Sequence, residues 1–269
     1  MEEPKRCFGF SLYLCSVKIK EVLSALERYA PLPLQESWDN AGLQVGLTET
    51  EVSGALLCLD VNELIVDEAV AKGCNLIVSH HPLLFRGLKT ISDMTDVQRT
   101  VMRAIQKGVT VVSMHTNMDN AEGGVNWMMA QKLGLREVRF LLENSGAVGE
   151  FDEAMASIDF IQKVKQTFHV ACAMSNELLH RPIRKVALCG GAGDFLLDEA
   201  IKAGADAFIT GEMHYHQYFG YEQQIQICVI GHYQSEQFTS EIFRDIIEHE
   251  CPGVTTYIAE TNTNPIHYF

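Results

Sequence analysis

The chain contains an internal repeat, and this repeat constrains the fold more than any other feature of the sequence. The segments LCLDVNELIVDEAVAKGCNLIVSHH (57–81) and LCGGAGDFLLDEAIKAGADAFITGE (188–212) align without gaps at a constant offset of 131 (188 minus 57). In each copy an apolar run leads into a turn, an amphipathic stretch closes at a glycine, and a second apolar run follows. Each copy therefore predicts a β-α-β unit with parallel strands, whose carboxyl ends lie on one edge of a sheet.

A second similarity follows each copy of the repeat. VTVVSMHTNMD and IQICVIGHYQSE are apolar runs that both end in a histidine, three further residues and a carboxylate. The first run ends with His115 and Asp119, and the second ends with His232 and Glu236. Together the two similarities predict an α/β protein of two similar lobes, produced by internal duplication, which face each other across a shared cleft.

Turn-forming residues cluster in ENSGAVGEF (143–151), between the two copies. SIDFIQKVKQTFH, further along, has the periodicity of a helix that opens the second half. The predicted organisation is an N-terminal extension, a first lobe, a connecting segment and a second lobe, which are residues 1–16, 17–143, 144–180 and 181–269.

The N-terminal segment MEEPKRCFGFSLYLCS has two interpretations. Lys5 and Arg6 precede a modest apolar run, which is a faint feature of an export signal. Two glutamates lead the segment and no small-residue cleavage site follows, so a poorly ordered extension is favoured.

Charge and cysteine spacing exclude several classes of protein. The net charge of −14 and the pI of about 5.1 repel phosphates, so broad binding to nucleic acid is excluded. After the N-terminal segment, no apolar stretch is long enough to span a bilayer. The eight cysteines include no C-x-x-C pair, which favours buried free thiols in a reducing cytoplasm over disulfides or a zinc ribbon.

Side chains that bind metals gather at three predicted strand ends. In open α/β sheets, sites form in the crevice beyond the carboxyl ends of the strands. Imidazoles and carboxylates are ligands of zinc, iron, manganese and nickel. We therefore predict a metal site formed by these groups, which are His80 and His81, His115 with Asp119, and His232 with Glu236.

Each of these residues also has an ordinary explanation. A lone histidine at a strand end is usually a hydrogen-bonded polar residue. Asp119 fits a turn with Asn117 and Asn120 close by, and Glu236 fits the acidic first turn of a helix capped by Ser235. The coincidence of three strand ends, two of them related by the repeat, favours the metal site.

Two glycine-containing segments give weaker signals. GEMHYHQ adds Glu212, His214 and His216 at the strand end that corresponds to His80 and His81. These side chains either line the cleft and orient ligands or are ordinary surface residues. CGGAGDF (189–195) is a glycine-rich turn between strand and helix, and a tight turn is favoured over a phosphate site.

The segment ESWDNAGLQVG (36–46) is polar and contains an embedded tryptophan. Asp39 and Asn40 are typical turn residues, and Trp38 is expected to anchor the loop to the core. Periodicity alone predicts no chemistry for this segment.

Five segments, in order, resemble the Nif-three-like family, whose members include proteins described as type 2 GTP cyclohydrolase I. They are SWDNAGLQVG, SHHP, HTNMD, TGEMHYH and GHYQSEQ, and the resemblance covers about residues 17–269. It implies two similar α/β lobes around a dinuclear metal site, assembled as a toroidal homohexamer. Long members carry a ferredoxin-like domain between the lobes. KLGLREVRFLLENSGAVGEF passes almost directly from one lobe to the other, so a short form is expected.

Position by position, the resemblance implies five ligands of two divalent ions, which would be zinc, iron, manganese or nickel. Glu236 would bridge the ions. His115 has a matching place beside the site without being an established ligand, and His115 or His214 is expected to shuttle a proton. The implied ligands are His80, His81, Asp119, His232 and Glu236.

The two adjacent histidines fit such a pair of ions. Neighbouring side chains on a continuing strand point to opposite faces, but Pro82 ends this strand and confines His81 to an extended backbone. The two imidazoles are therefore expected to diverge, with His80 serving one ion and His81 the other.

The expected activity is that of a cytoplasmic metal-dependent hydrolase acting on a nucleotide or a related small molecule. The resemblance implies hydrolytic opening of the purine ring of GTP, with release of formate. The expected partners are this small substrate and further copies of the chain, with neither nucleic acid nor membrane. The alternative is a non-enzymatic metal-binding scaffold or regulatory protein, because a set of ligands implies binding and not turnover.

Overall fold

A computed structural model describes residues 16–267 of the chain, which form two β-sheets flanked by helices. Most of the predicted N-terminal extension, with Cys7 and Cys15, lies outside the described residues. The six described cysteines are free thiols, and all of them except Cys172 are buried, as expected. No helix between residues 16 and 267 is long and apolar enough to cross a membrane.

The first sheet has five strands in the order β1-β4-β3-β2-β11. All neighbours pair in parallel except β1, which is antiparallel to β4. The strands are β1 (Gly42–Val45), β2 (Ala55–Cys58), β3 (Leu76–Ser79), β4 (Thr110–Ser113) and β11 (Thr256–Ile258). The helices that pack on this sheet are α1 (Ile19–Tyr29), α2 (Glu63–Ala71), α3 (Asp96–Lys107) and α9 (Thr239–Glu250).

The second sheet has six strands in the order β5-β6-β8-β9-β10-β7. Its centre, β8-β9-β10, is parallel, and the other three strands pair antiparallel. The strands are β5 (Arg136–Leu142), β6 (Ser145–Met155), β7 (Met174–Ser175), β8 (Ile183–Cys189), β9 (Ala207–Thr210) and β10 (Gln226–Val229). The helices that pack on it are α5 (Val125–Leu133), α6 (Ser157–Thr167) and α7 (Leu197–Lys202).

Short helices complete the chain. Two of them, α4 (Thr116–Asp119) and α8 (His232–Glu236), directly follow β4 and β10. Three 3-10 helices are Leu32–Leu34, Asp194–Leu196 and Tyr215–Tyr218.

The strand pairing confirms the duplication predicted from the repeat. Ala55 of β2 pairs with Leu76 of β3, and Val186 of β8 pairs with Ala207 of β9, so shifting the first pair by 131 residues gives the second. Each unit continues in parallel into a third strand, β4 or β10, which carries a short antiparallel edge strand. The two lobes are therefore similar α/β units with the same central topology.

Helices cover both faces of the first sheet, and this explains why its strands are continuous apolar runs. Leu57 and Val78 belong to the core formed with α1 and α9, whereas Leu56 and Ile77 belong to the core formed with α2 and α3. Strands that are buried on both faces do not need alternating polar residues.

The end of the chain returns to the first sheet. Strand β11 pairs in parallel with β2, and Phe243 and Ile247 of α9 share a buried cluster with Ile19 and Leu57. The predicted lobe boundaries at 143, 180 and 269 stay a prediction about domains. The sheets assign residues 136–142 to the second sheet and residues 256–258 to the first.

The prediction of a turn-rich segment at 143–151 is wrong for most of its length. Only Glu143 and Asn144 form a turn, and β6 begins at the next residue. Strand β6 pairs with β5 on one side and with β8 on the other, so the sheet supplies hydrogen bonds that outweigh the turn propensity of its glycines.

Candidate metal centre

The carboxyl ends of β3, β4 and β10 meet in the cleft between the two sheets. His80 and His81 directly follow β3, Asp119 ends α4, and His232 and Glu236 begin and end α8. The structure brings all five predicted ligands together, and His115 joins them. Three groups have potential ligand atoms within 4.8 Å of one another: His80 with Asp119 and Glu236, His81 with His232 and Glu236, and His80 with His81 and His115.

Glu236 occupies the centre of this cluster and is 4% exposed. Its Oε2 atom lies 3.0 Å from Nε2 of His81 and 3.1 Å from Nε2 of His232. Its Oε1 atom lies 3.7 Å from Nε2 of His80, which is itself 3.7 Å from Oδ1 of Asp119. The two oxygens of one carboxylate therefore face two different groups of side chains.

Every imidazole of the cluster is oriented through its Nδ1 atom. Because carbonyl and carboxylate oxygens only accept hydrogen bonds, Nδ1 donates in each case and Nε2 is the ring atom that faces the cleft. Partners of this kind fix the ring of a metal-binding histidine and raise its basicity. The bonds are His80 to the Met114 carbonyl (2.9 Å), His81 to Asp60 Oδ1 (2.7 Å), His115 to Asp39 Oδ1 (2.7 Å) and His232 to Glu212 Oε1 (2.9 Å).

Within residues 16–267, Nε2 of His80 and Oδ1 of Asp119 are buried at the centre without a hydrogen-bond partner, and Oε2 of Glu236 is buried against the Nε2 atoms of His81 and His232. A buried polar atom without a partner is costly, and native proteins rarely tolerate several in one place. All three are metal-ligand atoms, and they converge on the same cleft. The cluster therefore fits a bound metal ion.

The charges in the cluster shift the pKa values of its members. Burial alone lowers the pKa of His81, but hydrogen bonds to Asp60 and Glu236 raise it to about 10. Burial alone also lowers the pKa of His232, but its hydrogen bond to Glu236 raises this pKa to about 9. Burial raises the pKa of Asp119 to about 7. Without an ion, protons therefore compensate the carboxylate charge at neutral pH.

Asp39 holds one wall of the site, a role that the sequence did not reveal. Its carboxylate accepts hydrogen bonds from His115 Nδ1, from the Thr116 backbone N–H (3.0 Å) and from the Thr116 hydroxyl. Burial alone raises the pKa of Asp39, but these bonds lower it to about 2. Trp38 packs edge-on against His115, with the ring centroids 6.0 Å apart. The loop thus contributes to the site as well as forming a turn.

The predicted residues of GEMHYHQ lie in different environments. Glu212 accepts a hydrogen bond from Nδ1 of His232 and so orients its ring. Of the two interpretations given for these residues, Glu212 therefore fits the supporting role. His214 hydrogen bonds to Asp194 at 3.0 Å, and its side chain is 88% exposed. His216 packs against Tyr215 and Phe219. Neither of these two histidines joins the central cluster.

The glycine-rich turn after β8 is a tight turn whose amide groups are already used. The N–H groups of Gly190, Gly191 and Gly193 donate to side-chain oxygens of Asn126, Ser235 and Thr210, at 3.0, 2.9 and 3.1 Å. These bonds support the interpretation as a turn and leave those three amides unavailable to an anion. Ser235 lies inside α8 and not at its start, so its predicted role as an N-cap is wrong.

Two supporting residues were missed by sequence reasoning. Asp60 follows β2 directly, so the same strand-end rule that selected the histidines could have selected it. Asp39 lies in an irregular loop, where no periodicity indicates which side chain faces the cleft.

The chain is similar to known proteins in family, in sequence and in structure. The family model Duf34/NIF3 (NGG1p interacting factor 3) matches residues 17–265. A "GTP cyclohydrolase 1 type 2 homolog" of Lactococcus lactis is 32% identical over 260 residues, which are 93% of this chain and 99% of the relative. The "GTP cyclohydrolase 1 type 2" of Helicobacter pylori is 35% identical over 235 residues, covering 85% and 91%. A hypothetical protein of Staphylococcus aureus, 25% identical, superposes with a TM-score of 0.87 over 94% of this chain and 100% of its own.

Proposed function

This chain belongs to the Duf34/NIF3 family, and from that membership we propose that its cleft binds two divalent metal ions and that it is a metal-dependent hydrolase of a nucleotide or a related small molecule. The observation that carries the proposal is the position of Glu236. Its two oxygens belong to two separate groups of ligand atoms, which is the arrangement that a bridging carboxylate requires.

In this proposal two groups of side chains would each hold one ion, and Glu236 would belong to both groups. His80 and Asp119 would hold one ion, and His81 and His232 would hold the other. The adjacent histidines thus serve different ions. Zinc, iron, manganese and nickel all suit such a mixture of imidazole and carboxylate ligands.

When bound, the ions supply Lewis-acid chemistry, which polarises a substrate and lowers the pKa of water. The chain's own residues hold the geometry and move the proton. His115 donates a hydrogen bond from its Nδ1–H group to Asp39. Its Nε2 atom is therefore the ring atom that can accept a proton within the cleft. The predicted role of His214 remains a prediction, and its exposed position makes His115 the better candidate.

The proposed reaction is hydrolytic opening of the purine ring of GTP with release of formate. Its support is the name of two relatives, which match at 32% and 35% identity. The cluster is compatible with it because hydrolysis at a ring carbon needs an activated water and a proton acceptor in one cleft.

The test is metal content followed by turnover. We expect elemental analysis of protein never exposed to chelator to find about two ions per chain, and formate to be released from GTP. Glu236→Gln should lose both metal and turnover, whereas Glu153→Gln, an exposed carboxylate of β6, should keep both. Stoichiometric metal without turnover of GTP or other nucleotides would favour the non-enzymatic scaffold, and absence of metal would contradict both functions.

We also propose, from the family resemblance, that the chain assembles as a toroidal homohexamer in the cytoplasm. Light scattering on the eluting protein would then give a mass near six times the chain mass of 30.1 kDa. A monomer or dimer at micromolar concentration would contradict the hexamer.

A further inference from the structure

A cavity of about 410 Å³ opens beside the ion cluster and is lined by residues from both halves of the chain. Two aromatic side chains lie on it, Trp38 at 57% exposure and Phe195 at 65%. Exposed aromatic rings in a concave site are typical of surfaces that bind planar rings, because stacking removes both faces from water.

The charges on the cavity wall disfavour a polyphosphate. Within residues 16–267, no lysine or arginine lines the cavity, and Glu36 is its one lining carboxylate that is not a proposed ligand of the ions. The glycine-rich turn on its wall uses the amide groups of Gly190 and Gly191 for internal hydrogen bonds. Away from the ions, a row of phosphates would therefore meet Glu36 without compensating donors from these groups.

Glu36 contributes a carboxylate to the wall of this cavity. Its backbone N–H donates to the Thr116 hydroxyl at 2.9 Å, which fixes it beside the cluster. Within the described part of the chain its carboxylate accepts one long hydrogen bond, at 3.4 Å from Nδ2 of Asn120. That nitrogen donates at 2.9 Å to the Leu34 carbonyl, so the carboxylate retains most of its accepting capacity.

A carboxylate only accepts hydrogen bonds, and its two oxygens suit two adjacent N–H donors. The ring N–H and the neighbouring amino group of guanine have this arrangement. Hypoxanthine offers only the ring N–H, and adenine places an acceptor beside its amino group.

We propose that the cavity recognises a planar heterocycle through its ring, with Trp38 and Phe195 contacting the ring and Glu36 accepting from two adjacent N–H donors, and that nucleotide phosphates add little to binding. The ring then lies beside the cluster, and the sugar and phosphates extend towards solvent. The inference rests on the proposed function for the chemistry at the ions. It adds that the protein recognises the substrate by its ring.

The first test uses the unmodified, metal-replete protein and three probes. Calorimetric titration with guanosine and GTP should give dissociation constants within about threefold of each other. Inosine lacks the amino group and should bind about tenfold or more weakly than guanosine, which corresponds to one lost hydrogen bond to a charged acceptor. Because this comparison changes the ligand, it does not depend on the folding of any variant.

The second test substitutes Glu36, the residue proposed to recognise the ring. Glu36→Gln should weaken guanosine about tenfold while weakening inosine much less, because the amide oxygen still accepts one N–H. Glu122→Gln is the matched control, since Glu122 is exposed on the same half of the chain and does not line the cavity. Metal content, measured on each sample, should be unchanged in both variants.

Three results would overturn the inference: GTP binding tenfold or more tighter than guanosine, equal binding of inosine and guanosine, or a Glu36→Gln variant that still prefers guanosine as the unmodified protein does. These outcomes are independent of the proposed function. Guanosine preference without turnover would leave the inference standing and count against a hydrolase. Bound metal and turnover without a preference for guanosine would overturn the inference and leave the proposed hydrolase standing.

Discussion

Glu236 shows at the scale of one residue why the cleft needs positive charge. The side chain is almost fully buried, and three imidazole nitrogens lie within 4 Å of its oxygens. An isolated buried carboxylate is too costly to keep its charge. Nearby imidazoles nevertheless hold the pKa of Glu236 well below its usual range, against the effect of burial. Bound cations and bound protons therefore compete for the same place.

This competition predicts how metal affinity depends on pH. The pKa of His81 is about 10 and that of His232 is about 9. At neutral pH and without a bound ion, at least one of these two imidazoles is therefore protonated. An ion must displace that proton, so affinity should fall as the pH falls, by about tenfold per pH unit for each proton released. Calorimetric titration with Zn²⁺ or Mn²⁺ in buffers of different ionisation enthalpy would count the protons. Equal affinity at pH 6 and pH 8 would contradict the prediction.

The cluster was predictable one residue at a time only where the strand-end rule applied. His80, His81, His115 and His232 all follow strands whose apolar runs are plain in the sequence. Asp39 reaches His115 from a loop 76 positions earlier in the chain, and no local pattern specifies such a contact.

At the scale of elements, the turn after β8 leaves no space for a side chain. Gly191 has a φ of +59°, and a Cβ atom there would collide with Oε1 of Glu236. We expect Gly191→Ala to displace Glu236 and to lower metal affinity by about tenfold or more, in the range found when residues supporting metal ligands are lost.

Gly204→Ala is a matched control for this change. Gly204 also has a positive φ, +70°, but nothing lies within 4 Å of the Cβ atom that would be added. Both variants should lose about 1 kcal/mol of unfolding free energy from backbone strain, and only Gly191→Ala should lose metal. Equal metal content in the two variants would show that the turn does not position Glu236.

The segment after β11 supports the site from a distance. The hydroxyl of Thr263 donates to Oδ2 of Asp60 at 2.8 Å, and Asp60 in turn orients His81. Glu68 accepts the backbone N–H groups of Glu260 and Thr261, which fixes this segment on the first lobe. Thr263→Val should therefore weaken the ion held by His81, by about three- to tenfold, less than the roughly 10- to 100-fold expected for loss of a direct partner.

Two further variants make this prediction specific. Thr263→Ser keeps the hydroxyl and should restore affinity. Thr256→Val removes a hydroxyl of β11 that bonds to Glu248 and should leave the metal unchanged. A two-site titration in which Thr263→Val matches the unmodified protein at both sites would contradict the supporting role.

Which elements could be predicted depends on where their partners lie. The repeat predicted the pairing of β2 with β3 and of β8 with β9, because strand, helix and strand follow one another directly. Strand β11 pairs with β2, about 200 residues earlier, as in the pair Tyr257 and Leu56. Local composition carries no information on so distant a partner. The segment of β6 has near partners, β5 and β8, and its turn prediction failed because pairing with them outweighs the turn propensity of its glycines.

For the whole molecule, the cluster connects the two sheets. His80, His81 and Asp119 come from the loops of the first sheet, and His232 and Glu236 come from those of the second. An ion held from both sides stabilises only the folded arrangement. At 100 times its dissociation constant it adds about 2.7 kcal/mol, which is roughly 5 to 10 °C in melting temperature for a chain of this size.

Chelation should therefore lower the melting temperature, and restoring the metal should raise it again. The measurement is differential scanning calorimetry with and without EDTA. Glu236→Gln serves as the control, because a variant without the shared ligand should not respond to either treatment. If the unmodified protein melts at the same temperature with and without EDTA, this would contradict stabilisation by an ion held from both sheets.

The return of the chain to the first sheet also sets an order of events during synthesis. The face of that sheet that carries Leu57 needs Phe243 and Ile247 to complete its core, and β2, paired with β3 on one side, lacks its neighbour on the other side until β11 is made. Domains normally fold as they emerge, amino-terminal part first. Here the amino-terminal part has an open hydrophobic face at first, so we expect the first sheet to complete its core only after the second half of the chain has been made. His232 and Glu236 are also made late, so an ion that needs ligands from both sheets can bind only after they have been made.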